Sequence, residues 1–540
     1  MTAGRESLVL GVDAGTGSAR AGVFSLDGRM LASAKEAITL WRGPGAMVEQ
    51  SSAQIWQAVC TAVRRVMADI DPARVRGIGF DATCSLVVLD SQGAPLPVGP
   101  SEDPARDIIV WMDHRAVEQA GRINALGHPV LAYVGGTISP EMETPKLLWL
   151  KENRPEIFAR AGHFLDLADF LTWRATGDTS RSTCTVTCKW TYLAHERRWD
   201  PSYFRAIGLG ELADEGFKRI GDRVVDPGTA LGQGLTVAAA ADLGLLPGTA
   251  VSAGMIDAHA GGIGSVGIGG DPATHMAYVF GTSSCTITST KEPVFVPGVW
   301  GPYYSAMVPG MWLNEGGQSA AGAAIDHLVE CHPASGAARE RADAEGITVA
   351  ELLTRLLTAD GEPVSRLVHR VAGLHVVPEF LGNRAPHADP HARAVIVGLG
   401  MDRDLQSLVT LYLAGICGIG YGLRQILEAQ DRAGAAVEKI VISGGAGQSA
   451  LIRQLLADTS GRPVLAPAVA EPVLLGAATL GAVAAGLFPD MTAAMAALSH
   501  PGEIALPAGG DIPALHAQRY DAFTRLQTLA NAIRGTERTA

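Results

Sequence analysis

Leu8-Val9-Leu10-Gly11-Val12-Asp13-Ala14-Gly15-Thr16-Gly17-Ser18-Ala19-Arg20-Ala21-Gly22-Val23-Phe24 decides the fold. Its first run is apolar and ends on an acid, the pattern of a buried strand closed by a turn. Gly15 and Gly17 are expected to turn the backbone at positive φ and let it approach a ligand closely. Thr16 and Ser18 put hydroxyls and amides at the tip, and a second strand leaves through Arg20. Asp27-Gly28 marks a further turn, and Met30 to Ala34 reads as a third strand. A tip rich in amides and hydroxyls suits phosphate oxygens. Asp13 beside it is placed to hold magnesium through water, because magnesium keeps much of its hydration shell. A dinucleotide-binding fold needs a helix after the Gly turn, and here a strand follows. An ordinary Gly-rich hairpin stays open at this point.

A second copy further along favours the phosphate reading. His275 to Phe280 is an apolar strand, Gly281-Thr282-Ser283-Ser284 a turn, and Cys285 to Ser289 a β-branched strand. Each copy is followed by a helix and another strand. In the first half these are a helix from Ser51 or Ser52 through Val66 and a strand from Val75 to Phe80. In the second they are a long helix from Asp404 to Arg432 and a strand from Lys439 to Ser443, which ends at Gly444-Gly445. Residues 116 to 180 read as mostly helical. The duplicated unit predicts an α/β chain of two matching domains with a cleft between them. The boundaries are 1–270, 271–500 and a tail at 501–540, with the Gly-rich Gly264 to Pro272 stretch as hinge. Beyond about residue 505 the tail reads as a Pro-punctuated loop and then a helix from Pro513 to Ile533.

The 540 residues are 47% hydrophobic and 18% charged, as expected of a globular protein with sizeable cores. A net charge of -12 argues against nucleic acid as a partner. Apolar runs such as Val473 to Leu487 are short and rich in Gly and Ala, so buried helices are expected rather than membrane spans. The N-terminus lacks a signal-peptide pattern, and seven cysteines in so long a chain make no disulfide framework. Cys184 and Cys188 lie four apart, but no His or Cys pair near them in the chain completes a zinc set. Reduced thiols in a cytoplasmic protein are the expectation. No Gly-Lys-Ser/Thr, Asp-Phe-Gly or His-Arg-Asp occurs, which removes P-loop and protein-kinase chemistry.

With these motifs in view, the chain resembles the FGGY carbohydrate kinases, which share the duplicated actin and hexokinase-like (ribonuclease H-like) fold. Asp13 to Arg20, Gly254 to Gly262, Gly281 to Ser284 and Gly444 to Ser449 match in the family's order, over residues 8 to about 490. Within the family it looks most like the ribulokinases, and among them the D-ribulose kinase branch. The stretches that carry this are Cys184 to Tyr192, Met255 to Gly262, Val299 to Tyr304 and Trp312 to Ser319.

The resemblance implies Asp257 as catalytic base, since a carboxylate in reach of a sugar hydroxyl can take its proton. The bland alternative for Asp257 is a helix cap. For ATP and Mg2+ it implies Asp13 at the metal and Gly15, Thr16, Ser18, Arg20, Gly281, Thr282 and Ser283 around the phosphates. Gly322, Asp326, Gly445 and Ser449 fall where nucleotide contacts lie in related glycerol kinases. For the sugar it implies Ala82, Thr83, Lys189, Asp257 and Glu315. Lys189 is one of only seven lysines and sits in an apolar and aromatic setting. The activity implied is ATP-dependent phosphorylation of a ketopentose, D-ribulose above others, at its terminal hydroxyl. L-ribulose or ribitol as acceptor, and a non-catalytic ATP- and sugar-binding protein of this fold, are the alternatives. Partners are a small sugar and ATP, with no nucleic acid and no membrane; a homo-oligomer stays open.

Overall fold

The computed structural model describes residues 7–268 and 271–537. The opening stretch forms strands Leu8–Ala14 and Ser18–Ser25, followed by Met30–Ala37. They belong to a six-stranded sheet in the order 250–251, 75–82, 8–14, 18–25 and 30–37, with Met255–Ile256 also on the 75–82 strand. Helix Ser52–Val66 crosses between Met30–Ala37 and Val75–Ala82, capped by Ser51 Oγ, which accepts from the Gln54 amide. Its Ile55, Val59 and Val63 are fully buried, the helical spacing the sequence shows.

The second half repeats this plan. Strand His275–Phe280 pairs antiparallel with Ser284–Thr290 and parallel with Lys439–Ser443, as Leu8–Ala14 pairs with Ser18–Ser25 and Val75–Ala82. Helix Leu405–Ala433 makes the crossover, started by Asp404, whose side chain accepts from the Ser407 amide. By length and composition this helix could cross a membrane, but 72% of its most apolar window is buried, as in a core helix.

Two expectations hold with an added strand each, and one changes. The 116–180 region is mostly helical, as expected, and also contains strand Ala161–Asp166, which pairs antiparallel with Leu86–Asp90 in a separate five-stranded sheet. A six-residue segment is too short for periodicity to distinguish strand from helix. Beyond residue 505 the tail is a loop and then a helix, as the sequence predicts, and a strand precedes them. Pro501–Ala505 adds an edge strand to the second sheet, and helix Ile512–Glu537 buries Ile512 and Phe523 in the second core. The Gly-rich stretch before 270 is packing surface. Helix Asp257–Val266 runs through it and crosses helix Pro472–Ala484 at glycines: a methyl on Gly264 would overlap the Pro472 carbonyl, and one on Gly476 the Ala260 carbonyl. The boundary placed at residue 270 falls on Gly269 and Gly270, outside the described residues.

Helix Pro472–Ala484 therefore returns from the second half to lie on the first sheet, where Gly11 and Gly79 admit its backbone. Both obstacles at Gly476 are backbone, which cannot rotate away. Gly476→Ala is expected to cost about 1–3 kcal/mol, seen as a lower urea midpoint. An unchanged midpoint would show that this crossing has slack.

Candidate functional site

Strands Leu8–Ala14 and Val75–Ala82 run parallel with Asp13 opposite Asp81 and Ala14 opposite Ala82. On the other side of Val75–Ala82, Met255 pairs with Asp81 and Ile256 with Ala82. The next residue is Asp257. Three carboxylates thus gather at the carboxyl ends of adjacent strands, the edge where open α/β sheets bind ligands. Asp13 and Asp81 are buried, at 1% and 0% exposure. Arg20, from the neighbouring strand, pairs with Asp13 and reaches Glu471 Oε2 at 2.7 Å. Burial raises the Asp13 carboxyl, with Arg20 opposing. Asp81 is driven well above the carboxylate range by burial and then by the charges of Asp13 and Asp257. Apart from its side-chain contact with Asp13, neither Asp81 oxygen has a hydrogen-bond partner. Buried acids with unpartnered oxygens are the donors a hard divalent cation takes, so the residues present fit magnesium.

Asp257 opens helix Asp257–Val266, whose cap is Ile256. It is the first helical residue rather than the cap, and it still takes up a first-turn amide. Its Oδ1 accepts from the Ala258 amide at 2.7 Å. Burial, followed by the charge of Asp13, pushes its carboxyl up to about 6. It is thus mostly ionised at pH 7 and still basic enough to take a proton.

A cavity of about 310 Å³ opens in front of this edge, lined among others by Thr83, Asp257, Lys189, Glu315, Trp300 and Arg384. Lys189 comes from helix Thr183–Trp190, with Nζ 5.1 Å from the Trp300 ring centroid. Burial opposes the Lys189 charge, but Cys84 and Glu315 more than offset it and raise the ammonium well above its usual range. Burial likewise opposes the Glu315 charge, yet Lys189, His259 and Arg384 draw its carboxyl down to about 2. His259 is fully buried, with Nε2 3.4 Å from Glu315 Oε2. It braces Glu315 and does not line the cavity. Ala82 is buried at the strand end beneath Thr83.

Both Gly–Thr turns reach this cavity, through Thr16 and Arg20 on one side and Ser283 on the other. Thr16 is fixed by Trp111, whose Nε1 donates to its Oγ1 at 3.0 Å, and by Gln50 Nε2, which donates to its carbonyl. Gly15 and Gly17 do not take positive φ, contrary to the sequence reading. Nothing lies within 4 Å of a Cβ on Gly17, and the nearest atom to one on Gly15 is 3.6 Å away. Their service is an open backbone face, not a left-handed turn. Ser18 is buried at the start of the second strand.

On the second turn, the Gly322 amide donates to the Gly281 carbonyl at 3.0 Å and the Ala321 amide to the Thr282 carbonyl at 2.9 Å. Gly281, Thr282 and Gly322 are thereby brought together. Gly444 has φ 90° and lies against the Phe280 carbonyl, so the turn holding Gly445 stands at the neighbouring strand end. Ser449 caps helix Ala450–Ser460. Asp326 is exposed on helix Gly322–Glu330 and is not among the residues lining the cavity.

Among the residues at this site that were not singled out from sequence are Asp81, Trp111, Glu141, Trp300 and Arg384. Asp81 carried the clearest signal, an acid ending a strand as Asp13 does. Arg384 comes from the 382–389 loop. His387 Nε2 lies 3.2 Å from Gln527 Oε1, and Arg534 Nη2 donates to Asp389 at 2.6 Å, so the tail helix holds this loop over the cavity.

Comparison with known proteins gives a consistent answer. Residues 8–264 match the N-terminal domain model of the FGGY family of carbohydrate kinases, and residues 276–485 its C-terminal domain model. A human FGGY carbohydrate kinase domain-containing protein is 47% identical over 534 residues, covering 96% of each chain. A D-ribulokinase of Saccharomyces cerevisiae is 38% identical over 510 residues, covering 88% of this chain and 71% of that one. The crystal structure of xylulose kinase from Rhodospirillum rubrum superposes with a TM-score of 0.80 over 97% of this chain and 99% of that one, at 22% identity. That likeness bears on the fold, a two-domain α/β architecture.

Proposed function

Because the chain belongs to the FGGY family of carbohydrate kinases, we propose that it transfers the γ-phosphoryl group of ATP to the terminal hydroxyl of D-ribulose, giving D-ribulose 5-phosphate and ADP. The observation that carries this is the common cavity, which Asp257, Lys189 and Glu315 line together with Thr16 and Ser283 of the two Gly–Thr turns. The yeast D-ribulokinase supports the choice of sugar.

In this reading Asp257 accepts the hydroxyl proton as the sugar oxygen bonds to phosphorus and the bond to the ADP oxygen breaks. Lys189 and Glu315 are a fixed donor and a fixed acceptor for the ketose oxygens, and a site built to hydrogen-bond hydroxyls rejects analogues that lack them. Amides and hydroxyls at Gly15 to Ser18 and Gly281 to Ser283 bind phosphate oxygens from two sides. Asp13, with Asp81 beside it, would hold Mg2+, which when bound neutralises charge on the transferring phosphoryl group. Arg384 adds a fixed positive charge at the cavity wall. Phosphorus NMR of the product tests the regiochemistry. The expected result is a monoester whose phosphorus correlates with the C5 methylene next to the C4 proton; correlation with the C1 methylene beside the carbonyl, or with a single CH proton, would overturn this orientation of the sugar.

A further inference from the structure

Helix Thr183–Trp190 sets Cys184 and Cys188 one turn apart, and so on one face. The chain near them holds no further ligand, but the fold brings in His259 from 75 positions away, with Nδ1 3.1 Å from Cys184 Sγ. The ligand atoms of Cys184, Cys188 and His259 all lie within 4.8 Å of one another, the one such group of three or more among the described residues. All three side chains are fully buried.

Two further features match a metal–thiolate centre. The Ile256 amide donates to Cys184 Sγ at 3.4 Å, a contact that favours a thiolate. The other nitrogen of His259 faces Glu315 Oε2 at 3.4 Å. A metal-bound imidazole characteristically gives its free N–H to a carboxylate, which fixes its tautomer and orientation. Two sulfurs and an imidazole select a soft or borderline ion rather than magnesium.

We propose that Cys184, Cys188 and His259 bind one divalent cation of the zinc class behind the cavity, with Glu315 as the outer partner of His259. Binding releases the thiol protons to solvent and involves no electron transfer. Three protein ligands leave one coordination position for water. The centre is separate from the Asp13 and Asp81 carboxylates, which offer only oxygen.

The test uses the full chain, purified with reductant and chelator, exchanged into metal-free buffer and titrated with Cd2+ and then Zn2+. One equivalent of Cd2+ per chain, with a thiolate-to-cadmium charge-transfer band that Zn2+ abolishes and Mg2+ does not, is the expected result. Cys184→Ala and Cys188→Ala should each weaken binding at least tenfold, and Glu315→Gln, which leaves all three ligands, by about tenfold. Should a cysteine variant fail to melt cooperatively, Glu315→Gln and the Mg2+ control still decide the matter. No stoichiometric binding, or binding unaltered in all three variants, would overturn the proposal. The readout is metal binding and does not depend on phosphoryl transfer.

Discussion

Asp257→Asn is expected to lower kcat for D-ribulose by about 10²–10⁴-fold, the span of a positioned general base. The amide keeps the shape of the carboxylate and its place at the start of the helix, so sugar and nucleotide should still bind. The pH dependence makes the assignment specific. Burial and the nearby Asp13 hold the Asp257 carboxyl at about 6. A base must be ionised to act, so kcat/KM should be level above pH 6 and fall tenfold per unit below it. Glu315 sits near 2 and contributes nothing to that limb. The variant should lose the limb together with the rate. A variant that keeps a tenth of the wild-type rate and the same acid limb would remove Asp257 as the base.

The second large effect is at Asp13. Asp13→Asn should reduce kcat by about 10²-fold, equivalent to about 2.7 kcal/mol of transition-state stabilisation, and raise the Mg2+ concentration needed for half-maximal rate. Stability should respond differently. The charge of Asp13 works against ionisation of both Asp81 and Asp257, so removing it relieves repulsion in the metal-free protein. The loss opposing this is small, because Arg20 is a third exposed and keeps Glu471. The thermal midpoint without metal should therefore hold or rise while activity collapses. A fall in both together would make Asp13 a structural residue rather than a metal ligand.

The architecture was legible where the chemistry is local. Strand, Gly–Thr turn and strand can be read twice from residue order, and the long helix expected over 404–432 is observed at Leu405–Ala433. Asp257, Lys189 and Glu315 were named through family resemblance, and the fold brings them to one cavity. What stayed hidden depends on register and on distant segments. Asp81 matters because parallel pairing sets it opposite Asp13, and no local pattern encodes that register. Arg384 reaches the cavity from a loop held by a helix more than a hundred residues later. The conformations of Gly15 and Gly17 were misjudged because glycine serves two purposes, left-handed backbone and bare surface, and the letter does not say which. The glycines at 264 and 476 are of the second kind: Gly264 suggests a hinge in sequence, and in the fold it and Gly476 form a close crossing of helices.

The most direct measurement is ADP release from ATP and Mg2+ with D-ribulose, L-ribulose, D-xylulose, L-xylulose, ribitol and glycerol side by side. The account predicts sugar-dependent ADP with kcat/KM highest for D-ribulose, and its loss in Asp257→Asn. Highest turnover with another sugar would keep the phosphoryl-transfer chemistry and contradict the assignment of the pocket. No sugar-dependent ADP from cooperatively folded protein would contradict the account at its centre.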